Sequence, residues 1–231
     1  MSDKGYANPE LLISAQELNA QLHSGDLCIV DTRPTHAFVA GHIPGAIHLD
    51  IYGISLNDTR EQAFEAFMAM FRYLMHSRGI GTDKTVVWYE DNSGMRAARG
   101  FWICEYLGHS DVRVLDGGFH AWNAAGFEVT SVCVEVEGVD FESEALPELH
   151  MGADTLQGLL GRDDVIPLDT RSDDEYFGRA VRAARGGAIP GAVHIEYVNN
   201  LDETGAFKPA DELRAMYESA GITPEKEIVP Y

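Results

Sequence analysis

The chain offers little to metal, disulfide or membrane chemistry. Its three cysteines, Cys28, Cys104 and Cys133, are odd in number and far apart, so no disulfide framework can be drawn from them. No C-x-x-C pair and no HExxH grouping occurs, and the nine histidines show no zinc-ligand spacing, which argues against a structural or catalytic metal. No apolar run approaches the roughly 18 residues of a membrane span. The start, Met1-Ser2-Asp3-Lys4, has no apolar stretch behind it, so a secretory leader is not expected and a cytoplasmic location is the default. Positive charge is also scarce. Seventeen Lys and Arg stand against 37 Asp and Glu, a net charge of −20, which disfavours nucleic acid and anionic membrane as partners. A small anionic substrate would need a local positive island.

What is present is ordinary in amount and repeated in order. At 231 residues and 45% hydrophobic, the chain is long enough for two modest cores. Val30-Asp31-Thr32-Arg33 returns as Leu168-Asp169-Thr170-Arg171. Gly41-His42-Ile43-Pro44-Gly45-Ala46 returns as Gly187-Ala188-Ile189-Pro190-Gly191-Ala192, and Gly79-Ile80 followed by Val86-Val87-Trp88-Tyr89 returns as Gly221-Ile222 followed by Ile228-Val229-Pro230-Tyr231. The offsets are 138, 146 and 142, so the second copy carries eight extra residues in its first loop. One unit is written twice.

Within each copy, short apolar runs alternate with amphipathic stretches. Leu27–Asp31 and Val165–Asp169 are buried-strand patterns, and residues 86–89 and Val112–Leu115 follow suit. Phe64, Phe67, Met68, Phe71, Leu74 and Met75 recur at helical spacing over residues 61–78, as do Leu213, Met216, Tyr217 and Ala220 in the second copy. Both stripes are core faces. A further helix is expected over residues 97–107. Strands separated by helices imply a mostly parallel sheet flanked by helices, an α/β fold, in each copy. The boundaries are a first domain at 9–127, an acidic linker at 128–150 containing Pro147, and a second domain at 151–231.

In a parallel sheet the ligand crevice lies beyond the carboxyl ends of the strands. In the first copy that place is Glu90-Asp91-Asn92-Ser93-Gly94-Met95-Arg96, a polar turn running into a helix. Such a turn gathers backbone N–H groups and favours negative charge. Glu90 and Asp91 put carboxylates there, at the mouth of an anion site, and Gly94 and Arg96 complete the loop. In the second copy the extra residues bring Arg179, Arg182 and Arg185 at spacing three, which a helical turn would place on one face. Arg185 and Arg182 are the candidate substrate-binding cations. Asp31 and Asp169 are read as turn-fixing, Arg33 and Arg171 as structural ion-pair partners, and Trp122 as a core anchor. Cys28 and Cys104 read as small buried hydrophobes.

These marks together, Asp31-Thr32-Arg33 to Gly45-Ala46, the loop at 90–96, then Leu115-Asp116-Gly117-Gly118-Phe119 and Trp122, and their partial echo from Asp169 onward, resemble a tandem rhodanese-family sulfurtransferase over nearly the whole chain. The resemblance implies a non-catalytic first domain with an acidic residue, Glu90 or Asp91, in place of the cysteine. It implies a catalytic second domain whose cysteine would come immediately after Tyr231, so that no catalytic residue lies within this chain, the second domain is truncated, and the 231 residues alone are inactive. The implied activity moves a sulfane sulfur from thiosulfate or 3-mercaptopyruvate to cyanide or a thiol acceptor through a cysteine persulfide, with no cofactor. The alternatives are a non-catalytic rhodanese-like binding or regulatory module, and a phosphatase or arsenate reductase of related fold.

Overall fold

The computed structural model describes residues 4–231. They form two compact units, one of residues 7–150 with 203–207, the other of residues 4–6, 151–202 and 208–231.

The first unit holds strands β1 (Leu12–Ile13), β2 (Leu27–Asp31), β3 (Ile47–His48), β4 (Thr85–Tyr89) and β5 (Val112–Leu115), all parallel, in the order β1-β5-β4-β2-β3. Helices α1 (Ala15–Gln21), α2 (Thr35–Ala40), α3 (Glu61–Ser77), α4 (Met95–Tyr106) and α5 (Gly118–Ala124) cover both faces. Central β4 shows how. Its side chains alternate, Val86 and Trp88 joining Phe64, Phe71, Met75 and Ile103 on the α3–α4 side, Val87 and Tyr89 joining Leu18, Phe38, Ile43 and Trp122 on the other. A strand buried on both faces must be apolar at every position, which is why period-two alternation is absent from its sequence. The Phe–Met stripe of α3 is core, with Phe71 and Met75 wholly buried.

Residues 128–150, expected to link the two copies, run along the first unit. Thr130 and His42 exchange two backbone hydrogen bonds of 2.8 and 3.0 Å, Val139 N–H donates to His76 O at 3.0 Å, and Leu146 N–H donates to Tyr106 O at 2.8 Å. Phe141 is buried and its carbonyl accepts from Arg72 Nη1 at 3.0 Å.

The second unit holds α6 (Ala153–Leu159), β6 (Val165–Asp169), α7 (Asp173–Tyr176), β7 (Val193–His194), α8 (Ala210–Ser219) and β8 (Glu227–Pro230). Its three strands are parallel in the order β7-β6-β8, and β6, like β2, ends at the aspartate that opens the Asp-Thr-Arg triplet. Leu168, Ile195 and Ile222 are its buried core, with Ile166, Met216, Tyr217 and Ile228 packed against them.

Candidate functional site

The repeated residues form a bracket at the carboxyl end of the sheet. In the first unit Asp31, fully buried at the end of β2, accepts two bonds from one edge of Arg33, from Nε at 3.1 Å and Nη2 at 2.6 Å. The same Nη2 donates to Gly41 O at 2.7 Å. Tyr89 Oη donates to Asp31 Oδ2 at 2.5 Å and accepts from Ile43 N–H at 3.2 Å, while Thr32 Oγ1 donates to Tyr89 O at 2.9 Å. One carboxylate, one guanidinium and one phenol thus hold the loop at 41–46 against the end of β4. A buried charge pair is tolerable only with such saturation.

The second unit repeats most of these bonds. Arg171 donates to Asp169 from Nε at 3.0 Å and Nη2 at 2.5 Å, and to Gly187 O at 2.9 Å. Ile189 N–H donates to Tyr231 Oη at 2.9 Å, and Thr170 Oγ1 donates to Tyr231 O at 3.0 Å. Burial works to raise the Asp169 carboxyl, but the Arg171 side chain, the Tyr231 hydroxyl and the Arg171 amide outweigh it and hold the group below the usual aspartate range. His42 has no share in the bracket. It is buried, stacked on Phe38 at 3.8 Å and bonded to Phe38 O at 2.9 Å, which fits its replacement by Ala188.

The residue that follows Tyr89 is Glu90. The Glu90 carboxylate turns into the start of α4 and accepts from Arg96 N–H at 2.6 Å and Ala97 N–H at 3.2 Å. Those are two of the amides that a helix leaves unbonded at its first turn. Burial pushes the carboxyl of Glu90 up, and the amides of Ala97 and Arg96 offset part of that rise. Gly94 leaves room for this carboxylate: a Cβ there would stand 2.6 Å from Glu90 Oε1, and the side chain would have to shift. Gly118 is required too: at φ +56° a Cβ would lie 2.5 Å from Glu90 O, which accepts from Phe119 N–H at 2.7 Å. Asp91 points outward, half-exposed, 3.8 Å from Arg33, and Arg96 pairs with Asp50 at 2.8 Å.

The three second-unit arginines are not on a helix. Gly178, at φ +71°, ends the turn after α7, and residues 179–185 are bends and irregular loop. The backbones of Gly178 and Gly187 pack so closely that a Cβ on Gly178 would meet Gly187 N at 3.1 Å, pinching the loop at its base. Arg179 pairs with Asp174 at 2.6 Å and Arg182 with Glu175 at 2.7 Å. Arg185 is exposed and has no ion pair among the described residues. The sequence reading missed what Glu175 does: with Ser172 it closes a capping box at the start of α7, a Ser-x-x-Glu signature that Ser14 and Glu17 repeat at α1. Cys28 and Cys104 are buried, and burial pushes their thiols up to about 11 and about 12. Cys133 is exposed. No group of three or more metal-ligating side chains occurs among the described residues, and no helix there is long and apolar enough to cross a membrane.

Comparison with known proteins points one way. The sequence profile of the rhodanese-like domain matches residues 14–125 and again 152–231. The chain is 34% identical to a putative thiosulfate sulfurtransferase, SseA, of Mycobacterium tuberculosis, over 98% of this chain and 78% of that protein. It is 33% identical to the sulfur carrier protein TtuD of Thermus thermophilus, over 98% of this chain and 84% of that one. A thiosulfate sulfurtransferase of Azotobacter vinelandii is 30% identical over 98% and 83%. Among solved structures, a single-site variant of EanB in complex with ergothioneine aligns with a TM-score of 0.81 at 25% identity, over 96% of this chain and 60% of that chain. SseA of Escherichia coli, a 3-mercaptopyruvate sulfotransferase, shares the fold with a TM-score of 0.81 at 22% identity, over 95% and 87%.

Proposed function

The chain belongs to the rhodanese family, with two copies of the rhodanese-like domain, and on that premise we propose that it is the sulfur-transferring part of a thiosulfate or 3-mercaptopyruvate sulfurtransferase. The reading assigns catalysis to the second unit and none to the first. The nucleophile is a cysteine at the position after Tyr231. One observation carries this: Tyr231 has the same bracket of Asp169, Thr170, Arg171 and Ile189 that Tyr89 has in the first unit. The next residue therefore corresponds to Glu90, whose side chain rests on helix-terminal amides. A cysteine so held would have its thiolate stabilised at neutral pH, as at other helix N-termini.

The transfer has two balanced steps. The thiolate attacks the outer sulfur of the donor, whose S–S or C–S bond breaks with release of sulfite or pyruvate. Cyanide or a thiolate then attacks the persulfide, takes the outer sulfur, and returns the cysteine thiolate. Arg185 and Arg182 are assigned to the anionic donor. Arg185 is the stronger candidate, since the charge of Arg182 is already matched by Glu175.

The test compares this chain with one extended through the following loop and helix, both incubated with thiosulfate or mercaptopyruvate. The extended chain is expected to gain the mass of one sulfur atom, lost again on adding cyanide, with thiocyanate formed; residues 1–231 alone are expected to give none. Transfer by the 231-residue chain that survives removal of Cys28, Cys104 and Cys133 would overturn the assignment, and an extended chain lacking cysteine after Tyr231 would favour a binding module.

A further inference from the structure

Residues 203–207 come between β7 and α8 in the chain, yet they pack into the first unit. Inside that unit they form a glycine turn beyond the carboxyl ends of β4 and β5. Ser93 N–H donates to Gly205 O at 2.8 Å, and Phe207 N–H donates to Asp116 Oδ1 at 2.8 Å. The two receiving residues are buried and hold each other: Ser93 Oγ donates to Asp116 Oδ1 at 3.1 Å and accepts from Gly117 N–H at 2.7 Å. A buried carboxylate needs donors, and the turn supplies one of them. Gly205 sits at φ +79°, and a Cβ on it would stand 2.7 Å from Asn92 Cβ. A side chain at 205 is therefore opposed twice, by conformation and by space. Asn92 and Ser93 belong to the loop whose helix-terminal amides Glu90 already occupies.

The flanks of the turn belong to the second unit. Ile195 N–H donates to Asp169 O at 3.1 Å and Tyr197 N–H to Thr170 O at 3.0 Å, so the chain leaving β7 crosses the carboxyl end of β6. Lys208 N–H donates to Asn200 O at 2.9 Å and draws the two flanks together. Thr170, whose carbonyl holds Tyr197, donates its own N–H to Tyr231 O at 3.1 Å. Residues 195–202 are thus one wall of the crevice beside the residue that precedes the assigned nucleophile. We propose that the first unit's loop, closed to ligands by Glu90, serves as a receptor for the turn at 203–207, with Ser93 and Asp116 as positioning residues for that wall. Fixing the turn removes conformations that the wall would otherwise sample. The effect on the crevice rests on the sulfur-transfer reading; the docking of the turn does not.

Docking is tested in residues 1–231 by amide hydrogen exchange at Ser93 and Phe207, whose N–H groups make the two bonds. Gly205→Ala, a change outside the receptor, is expected to speed exchange at Ser93 about tenfold, and Asp116→Ala to do the same at Phe207, with β4 and β6 still protected. No change at Ser93 in Gly205→Ala would overturn the receptor. Loss of protection throughout both units would overturn it too, by making the turn part of a core. The positioning role is tested in a chain extended through the nucleophile. There Gly205→Ala should raise KM for thiosulfate several-fold, while saturating donor still loads one sulfur atom. An unchanged KM would overturn the positioning role even with the turn released. If the unmutated extended chain takes up no sulfur, the sulfur-transfer reading fails, and exchange at Ser93 still decides the docking.

Discussion

At the scale of single residues, the first unit answers its anion cradle with its own carboxylate. Glu90 occupies the amides of Arg96 and Ala97 that would otherwise face solvent or a ligand, and an acidic side chain there cannot carry sulfur. The other charged residue of consequence is Asp169. Its carboxyl is held low in the folded state, so its contribution to stability is present above the ordinary aspartate pKa of about 3.9 and lost as pH falls through the folded value. Asp169→Asn should therefore cost most at neutral pH, leaving Arg171 without its partner, and the gap from the unmutated chain should narrow below about pH 4. Urea titrations at several pH values read this directly, and a gap that stays constant down to about pH 3 would contradict it.

At the scale of elements, contact between α4 and β4 rests on a missing side chain. A Cβ at Gly100 would stand 2.3 Å from the Trp88 ring, and Trp88 is wholly buried in the middle strand. Alanine is the better helix former by about 1 kcal/mol, but overpacking of a tight core costs about 1–3 kcal/mol. Gly100→Ala is thus expected to lower the urea midpoint at unchanged m, and a stabilised variant would show that the strand yields. The loop between α7 and β7 gives a kinetic counterpart. Arg185 lacks a pairing carboxylate where Arg179 and Arg182 have theirs. In a chain carrying the nucleophile, Arg185→Ala should raise KM for thiosulfate several-fold with kcat nearly unchanged, and Arg182→Ala should raise it less. A loss confined to kcat would move Arg185 away from donor binding.

At the scale of the whole molecule, a net charge of −20 sets the terms for both stability and substrate. Like charges on a compact chain repel, and the repulsion is screened as the Debye length falls from about 30 Å at 0.01 M salt to about 8 Å at physiological strength. The thermal midpoint should rise over that range, followed by circular dichroism; a midpoint that falls would mean that local ion pairs such as Arg171–Asp169 outweigh the global term. The same field disfavours an approaching anion, so the work of recognition falls to local donors. These are the helix-terminal amides and exposed cations such as Arg185, which has no ion pair among the described residues.

The duplication, the α/β class, the ends of β2 and β6, and the turn that fills the cradle could all be read from residues alone. Each depends on neighbours in sequence: a short apolar run, a helical stripe, a turn after a strand. The Ser-x-x-Glu caps of α1 and α7 belong with them and were open to the same reading. The rest was decided by folding. Tyr89 reads in sequence as one more apolar strand residue, and only the packed structure brings its hydroxyl between Asp31 and Ile43, 58 and 46 positions away. Helical spacing put three arginines on one face, but Gly178 stops the helix before them, so their neighbours are set by the course of a loop. The acidic stretch at 128–150 carries no periodicity, because its conformation comes from backbone bonds to His42, His76 and Tyr106 rather than from its own pattern. Hydrogen bonds and buried charges between distant segments leave no period in the sequence that makes them.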